Sequence, residues 1–277
     1  MRFVAKVLFA IIFLLMLGVS IGTTAFAAPK AELWPRWQAN DAQSTTRIDH
    51  SAWAQFLDKY LVLGKSGAAN LVRYAAVSSA DKDNLTKYID TLVAVPITKL
   101  NRAEQKATWI NLYNALTVLT ILDHYPVESI RDIRSGWFSS GPWDLKLIKV
   151  EGIELSLNDI EHRILRPIWQ DNRVHYAVNC ASLGCPNLQP EPFTAENSNR
   201  LLEKAAHEYV NSTRGVDLAG GELTLSSIYD WFQADFGGTD ATMLAHLGKF
   251  AAPALAAKLK SYRGTISYQY SWDLNNE

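Results

Sequence analysis

The sequence predicts an α+β fold in which a helix-rich N-terminal half packs on a small, mainly antiparallel sheet. Apolar residues recur at helical spacing between about residues 51 and 125. The middle and the end of the chain instead contain two hairpin patterns and a terminal stretch rich in β-branched and aromatic residues. Because the helices come first and the strands follow, the order of the segments is typical of the α+β class.

Three helices are predicted in the N-terminal half. The first begins at Ser51 and the second at Ser79, and each has an apolar face at helical spacing. Asn101, followed by a glutamate three residues later, resembles a capping box that starts a long helix through "ATWINLYNALTVLTILDHY". This third helix is apolar on nearly every side, so we expect it to be central and buried. Its amides Asn111 and Asn114 must therefore find hydrogen-bond partners in a dry environment.

The second half is predicted to mix strands with shorter helices. One hairpin, in "LKLIKVEGIELSL", turns at residues 151–152, and another turns at residues 220–221. Ser156 is expected to cap the helix "LNDIEHRILR", which Pro167 ends. "RVHYAVN" and the terminal "TISYQYSW" are predicted strands because β-branched and aromatic residues dominate them. Thr194 is expected to start the helix "AENSNRLLEKAAHEYV", and "SSIYDWFQADF" to form another.

Residues 1–27 resemble a signal peptide. Arg2 and Lys6 accompany an apolar run over residues 7–21, and the sequence AFA at residues 25–27 has the small-x-small pattern of a cleavage site. The apolar run is short for a membrane span. We therefore expect export to the periplasm or the cell surface, with no transmembrane segment in the mature protein.

The rest of the chain is predicted to form one unit. Residues 28–48 are expected to be an N-terminal linker, and residues 49–277 a single globular domain. Removal of the signal peptide takes away two basic residues and no acidic ones, so the formal net charge changes from −1 to −3. With no run of lysine or arginine either, we expect no nucleic-acid partner.

The helix predicted over residues 157–166 carries a carboxylate on its apolar face. At about 100° per residue, Glu161 falls among the apolar side chains and His162 at their border, whereas Asp159 and Arg166 fall on the solvated side. A carboxylate facing the core is costly unless it is paired, so Glu161 is either functional or part of a buried Glu–Arg pair. Adjacent helical side chains diverge, so Asp159 is better placed than Glu161 to orient the imidazole of His162.

The two cysteines, Cys180 and Cys185, admit three roles. Exported proteins commonly oxidise such a pair to a structural disulfide. Together with His162 and His175 they would supply a Cys₂His₂ zinc set, although the spacing matches no familiar zinc pattern. Alternatively, Cys180 is a nucleophile that follows a strand directly and needs a nearby base. In a regular strand His175 would face away from Cys180, so His162 is the expected base.

Four stretches resemble one family: "WINLYNALT", "GPWDLKLIKVEGIELSLNDIEHRILR", "RVHYAVNCASLGCPNL" and "YSWDLN". They are similar to the exported bacterial branch of the domain of unknown function 547 family, over about residues 49–277. That family is similar to papain- and transglutaminase-like cysteine hydrolases, which implies Cys180 as the nucleophile with His162 and Glu161. His175 and Cys185 match the family pattern without an agreed role. Because the acid and the base precede the cysteine here, a fold shared with papain would have to be circularly permuted.

The resemblance favours an exported cysteine-dependent acyl hydrolase or transferase that acts on an amide or thioester of a small peptide or envelope component, with no cofactor and no metal. The alternative is a non-catalytic envelope module that binds a ligand or partner and carries a Cys180–Cys185 disulfide. We expect the site where helix 157–166, strand 173–179 and the long helix meet. Asn114 would either cap a neighbouring backbone edge there or line the pocket.

Overall fold

A computed structural model describes residues 29–65, 67–134, 136 and 141–277. The predicted signal peptide, residues 1–27, lies outside the described residues. The α-helices are α1 Ser51–Tyr60, α2 Ser79–Ala94, α3 Arg102–His124, α4 Arg166–Trp169, α5 Ser198–Val210, α6 Ser227–Trp231, α7 Asp240–Phe250 and α8 Pro253–Ser261. The strands are β1 Leu61–Val62, β2 Leu71–Val72, β3 Ile148–Val150, β4 Ile153–Leu155, β5 Val216–Ala219, β6 Glu222–Ser226 and β7 Ile266–Gln269. A π-helix, Asp159–Leu165, directly precedes α4, and a 3₁₀-helix spans Asn172–Tyr176.

The three predicted N-terminal helices are confirmed. The side chain of Ser78 caps α2 by accepting a hydrogen bond from the backbone N–H of Asp81. Asn101 caps α3 by accepting one from the backbone N–H of Glu104 at 3.0 Å. As expected for a helix that is apolar nearly all round, α3 is buried along most of its length. α2 packs directly on α3, and α1 packs on α2.

The strands form three small sheets, so the α+β class is confirmed. The predicted turns at residues 151–152 and 220–221 join β3 to β4 and β5 to β6 in antiparallel hairpins. Positive φ angles at Glu151 and Gly152 allow the first of these tight turns. The predicted C-terminal strand is also present, but β7 pairs with β6 in parallel. Among the described strands, β1 and β2 form a further short antiparallel pair.

The helices do not all pack on one sheet, because the described residues form two hydrophobic cores. The larger core gathers α1 to α3, the β3–β4 hairpin and the π-helix. The smaller one joins the three-stranded sheet β5–β7 to α5, α7 and α8. α5 begins at Ser198, and in the turn before it Thr194 and Asn197 exchange two hydrogen bonds in the pattern of a capping box. Tyr176 lies in the smaller core, so the segment before Cys180 links the two.

The prediction that Pro167 ends its helix is wrong. Helical backbone continues to Trp169, and Ser156 caps its start as expected, by accepting from the N–H of Asp159 at 3.1 Å. Proline lacks the N–H that would bond to the carbonyl of residue 163, or of residue 162 in the π register. Those two carbonyls instead accept hydrogen bonds from the N–H groups of Trp34 and Glu32, both at 3.0 Å.

The strand predicted over residues 173–179 is also wrong. The segment begins as the 3₁₀-helix Asn172–Tyr176, whose start Asp171 caps through the N–H of Arg173. No neighbouring strand pairs with it in the described structure; it packs on α5, and the Asn114 side chain of α3 binds its backbone. The β-branched and aromatic residues of this segment fill the core rather than form a strand, since both Val174 and Tyr176 are fully buried.

The segment predicted as a linker lies on the domain. Trp37 is buried, and the N–H of Asp41 donates to the carbonyl of Leu100 at 3.0 Å. The boundary at residue 49 stays a prediction. In the described part of the chain, no helix has both the length and the apolar character that a membrane crossing requires.

Candidate functional site

The cysteine loop, residues 179–186, is closed by its own hydrogen bonds. Nδ2 of Asn179 donates to the carbonyl of Pro186 at 2.8 Å, and Oδ1 of Asn179 accepts from the N–H of Ala181 at 2.9 Å. Ala181 has a φ of +60°, a left-handed conformation that is uncommon for a residue with a Cβ. The N–H of Cys185 also donates to the carbonyl of Ser182 at 3.1 Å. These bonds place Cys180 at a sharp turn.

The C-terminal stretch "YSWDLN" lies along this cysteine loop. The N–H of Gly184 donates to the carbonyl of Ser271 at 2.9 Å, and the N–H of Asn275 donates to the carbonyl of Ala181 at 3.1 Å. A Cβ on Gly184 would lie 2.7 Å from the Ser271 carbonyl oxygen, so only glycine permits this close approach. The two motifs, 90 residues apart in sequence, therefore form one structural unit.

The sulfurs of Cys180 and Cys185 are joined in a disulfide, which was one of the three predicted roles. The hydroxyl of Tyr270 lies 3.1 Å from each sulfur, and the hydroxyl of Ser182 lies 3.2 Å from Sγ of Cys180. The backbone N–H of Cys180 donates to Sγ of Cys185 at 2.9 Å. Among the described residues, hydroxyl groups therefore contact the Cys180 sulfur, whereas neither His162 nor His175 forms a hydrogen bond with it.

The amides of α3 bind neighbouring backbone. Nδ2 of Asn114 donates to the carbonyl of Ala177 at 2.9 Å, and its Oδ1 accepts from the N–H of Asn179 at 2.8 Å. Asn111 makes the same pair of bonds with the carbonyl and N–H of Phe193, at 2.7 and 3.0 Å. The expected capping of backbone is thus confirmed for both amides. Asn114 fixes the backbone immediately before Cys180, and a direct contact with substrate stays a prediction.

Glu161 lies between the two imidazoles. Its Oε1 is 3.8 Å from Nδ1 of His162 and 3.8 Å from Nδ1 of His175. All three residues are buried, as the apolar position of Glu161 indicated. Burial raises the pKa of Tyr113 and of Tyr270, and the nearby charge of Glu161 adds to both shifts. The charge of the carboxylate therefore acts on Tyr270, the tyrosine that contacts both sulfurs.

Buried Arg166 and half-buried Asp235 complete this network. Nε of Arg166 donates to Oδ2 of Asp235 at 2.6 Å, and Nε2 of His175 lies 2.7 Å from the same oxygen. Although burial opposes the shift, these hydrogen bonds from His175 and Arg166 hold the pKa of Asp235 well below its usual range. The ring of Phe232 stacks on His175 with a centroid distance of 4.3 Å and covers the network.

The charge state of His162 follows from its partners. Nη1 of Arg166 lies 3.0 Å from Nδ1 of His162. A guanidinium can only donate, so Nδ1 must accept and the ring proton of the neutral imidazole is on Nε2. Burial, together with the charges of Arg166 and His175, lowers the pKa of His162 to about 4. The imidazole is therefore neutral near pH 7.

The predicted solvated positions of Asp159 and Arg166 are wrong, because both side chains are buried. The π-helix changes the angle between successive residues, so a regular helical wheel does not apply. Asp159 binds Lys146 and Ser156. Arg166, rather than Asp159, contacts the imidazole of His162. The same geometry brings Glu161 near its neighbour His162, an approach that the regular wheel had excluded.

The zinc alternative finds no support in the described residues, where no group of three or more histidine, cysteine or acidic side chains could hold a metal ion. The cysteines bind each other, and both histidines bind the network around Glu161.

Sequence reasoning missed three residues of this site: Tyr270, Arg166 and Asp235. Tyr270 lies within the terminal motif that carried the family resemblance, so that motif was its signal. Arg166 ends the stretch "GPWDLKLIKVEGIELSLNDIEHRILR", which also carried the resemblance, but the regular wheel placed it in solvent. Asp235 comes from the distant stretch "SSIYDWFQADF", and no local pattern distinguishes it from a solvated carboxylate.

Comparison with known proteins places the centre of the site in a recognised family segment. The family model described as "Protein of unknown function, DUF547" matches residues 97–210. The matched segment contains α3, the π-helix and the cysteine loop, and it supports the DUF547 family indicated by the sequence motifs. No curated protein and no solved structure matches the chain. Similarity to papain-like hydrolases stays a prediction.

Proposed function

We propose that this protein is an exported, cysteine-dependent acyl hydrolase or transferase. Its nucleophile would be Cys180, and its substrate an amide or thioester of a small peptide or cell-envelope component. The observation that carries the proposal is the buried position of Glu161, whose Oε1 lies 3.8 Å from Nδ1 of each of two imidazoles. A carboxylate is costly to hold in a protein core, and such clusters concentrate at functional sites.

The chemistry requires a free Sγ on Cys180, so the disulfide must first be reduced. The thiolate then attacks the acyl carbon, a carbon–sulfur bond forms, and the leaving amine or thiol departs with a proton. Water or a second acceptor next takes the acyl group and regenerates the thiolate. The disulfide form described by the structure is the resting state in this scheme.

His162 would exchange the proton with Cys180 through Nε2, because Nδ1 already faces Arg166 and Glu161. To act as a base, the neutral imidazole must carry its proton on Nδ1 and leave Nε2 free. Oε1 of Glu161, at 3.8 Å from Nδ1, would then accept a hydrogen bond from Nδ1–H. A small approach of these two groups would replace the 3.0 Å contact with Arg166. Glu161 would then orient the imidazole and stabilise its protonated form.

Acylation of Cys180 tests the proposal. Reduced protein is incubated with thioesters of short acyl peptides, and mass spectrometry locates the acyl group. The wild type and Cys185→Ser are expected to carry it on Cys180, and Cys180→Ser is expected to carry none. Glu161→Gln and His162→Asn should slow acylation at least about a hundredfold, whereas His124→Asn, at the exposed end of α3, should not. Absence of acyl transfer to reduced Cys185→Ser across the panel would contradict the proposal.

A second candidate is the non-catalytic envelope module that binds a ligand or partner. The disulfide itself favours it, because both sulfurs are bonded and both imidazoles are engaged by charged partners. Mass spectrometry of non-reduced protein recovered from cells separates the two functions. Complete oxidation that persists while the protein performs its function supports the module, and a reduced, acylated Cys180 supports the hydrolase.

A further inference from the structure

The two sulfurs of the disulfide differ in their environments. Cys185 is 4% exposed, whereas Cys180 is partly exposed at the turn of the cysteine loop. The greater exposure of Cys180 favours attack by an external thiolate at its Sγ over attack at Sγ of Cys185. Attack at the accessible sulfur would expel the buried one, which makes Cys185 the leaving group.

Hydrogen-bond donors converge on that leaving sulfur. The backbone N–H of Cys180 lies 2.9 Å from Sγ of Cys185, and the hydroxyl of Tyr270 donates to it at 3.1 Å. The guanidinium of Arg214 donates to the carbonyls of Leu183 and Cys185, which brings a half-buried positive charge to the same loop. Donors and a cation stabilise a thiolate and so favour its departure.

The disulfide contributes little to closing the loop. Asn179 already bridges it through the carbonyl of Pro186, and the terminal stretch holds it through Gly184 and Ala181. A crosslink between residues only five apart also removes less entropy from the unfolded chain than a long-range one. A purely structural staple would need neither the donors on Cys185 nor an accessible Cys180.

We infer that Cys180 and Cys185 form a thiol–disulfide exchange site that takes a dithiol as its substrate, with Tyr270 stabilising the Cys185 thiolate. A thiolate of the dithiol attacks Sγ of Cys180, a mixed disulfide forms, and the electron pair of the broken S–S bond goes to Sγ of Cys185. The second thiol of the dithiol gives up its proton to solvent and attacks its own bonded sulfur, which releases Cys180 as a thiolate. The dithiol ends as a disulfide, and the protein gains two electrons.

This exchange activity goes beyond the proposed acyl chemistry and does not depend on it. Its test measures the reduction of the folded, oxidised protein by dithiothreitol, with N-ethylmaleimide trapping and mass spectrometry. Loss of a hydrogen bond to a thiolate should slow reduction of Tyr270→Phe by about ten- to a hundredfold. The matched control Tyr268→Phe, two residues earlier within β7, should be reduced at the wild-type rate.

A second measurement does not depend on the folding of the tyrosine variants. Glutathione disulfide should form a mixed disulfide with Cys185→Ser, at Cys180, at least about ten times faster than with Cys180→Ser, at Cys185. Wild-type protein that is reduced only after denaturation would overturn the inference. Equal rates for Tyr270→Phe and the wild type, or equal trapping at the two cysteines, would overturn it too.

Discussion

Replacement of Asn114 by leucine should destabilise the protein strongly and loosen the approach to Cys180. Leucine has nearly the shape of asparagine but neither donates nor accepts. The change therefore leaves the buried carbonyl of Ala177 and the buried N–H of Asn179 without their partners at 2.9 and 2.8 Å. Each unsatisfied buried group costs about 1–3 kcal/mol, so the free energy of unfolding should fall by about 2–6 kcal/mol.

Asn111→Leu is the matched control, because Asn111 lies one turn earlier on the same helix and binds the backbone of Phe193 in the same way. Urea unfolding followed by tryptophan fluorescence should give similar losses for both variants. Only Asn114→Leu should also change the rate at which dithiothreitol reduces the Cys180–Cys185 disulfide. An unfolding free energy for Asn114→Leu within about 0.5 kcal/mol of the wild type would refute the assigned hydrogen bonds. An equal change in reduction rate in both variants would refute the claim that Asn114 specifically fixes the backbone before Cys180.

Three further predictions concern the core and the terminal stretch. Burial lowers the pKa of His50, His162 and His246 to about 4 from an ordinary 6.5, so the unfolded chain binds more protons between these values. Unfolding free energies in urea should therefore fall as the pH drops from 6.5 to 4, by up to about 3 kcal/mol per histidine, and a flat profile would contradict this. Arg166→Met removes one of the two hydrogen-bond partners of the half-buried Asp235, which His175 still contacts, so it should cost about 1–3 kcal/mol. NMR titration of this variant should show the pKa of His162 rising, and an unchanged titration would contradict the contact. Gly184→Ala should cost about 1–3 kcal/mol and expose the terminal stretch to limited proteolysis, because the added Cβ would meet a carbonyl at 2.7 Å; wild-type resistance would argue against that packing.

Local patterns were enough to predict the elements that rest on local interactions. The capping residue Asn101 and the unbroken apolar surface after it predicted α3 and its burial. Glu151 with Gly152, and the glycine pair at residues 220–221, predicted two hairpins because tight turns restrict which residues can occupy them. The same reasoning gave Glu161 as a misplaced carboxylate, which the structure confirms as buried.

The errors arose where distant segments decide the backbone. The π-helix depends on Glu32 and Trp34, which satisfy the carbonyls that Pro167 leaves free, and nothing within "LNDIEHRILR" indicates those partners. Residues 173–179 have strand composition, but no strand lies beside them, and side-chain amides such as Asn114 bind their backbone instead. Contacts of this kind link positions about 60 or more residues apart, beyond the range of any sequence periodicity.

The reactivity of Cys180 tests the proposed nucleophile most directly. In Cys185→Ser, Cys180 is the single thiol, and its alkylation by iodoacetamide can be measured against pH. Its thiol pKa is expected well below the ordinary value of about 8.5 and should rise towards that value in the His162→Asn and Glu161→Gln backgrounds. A thiol that titrates at about 8.5 and does not respond to either substitution would contradict a nucleophile activated by His162 and Glu161.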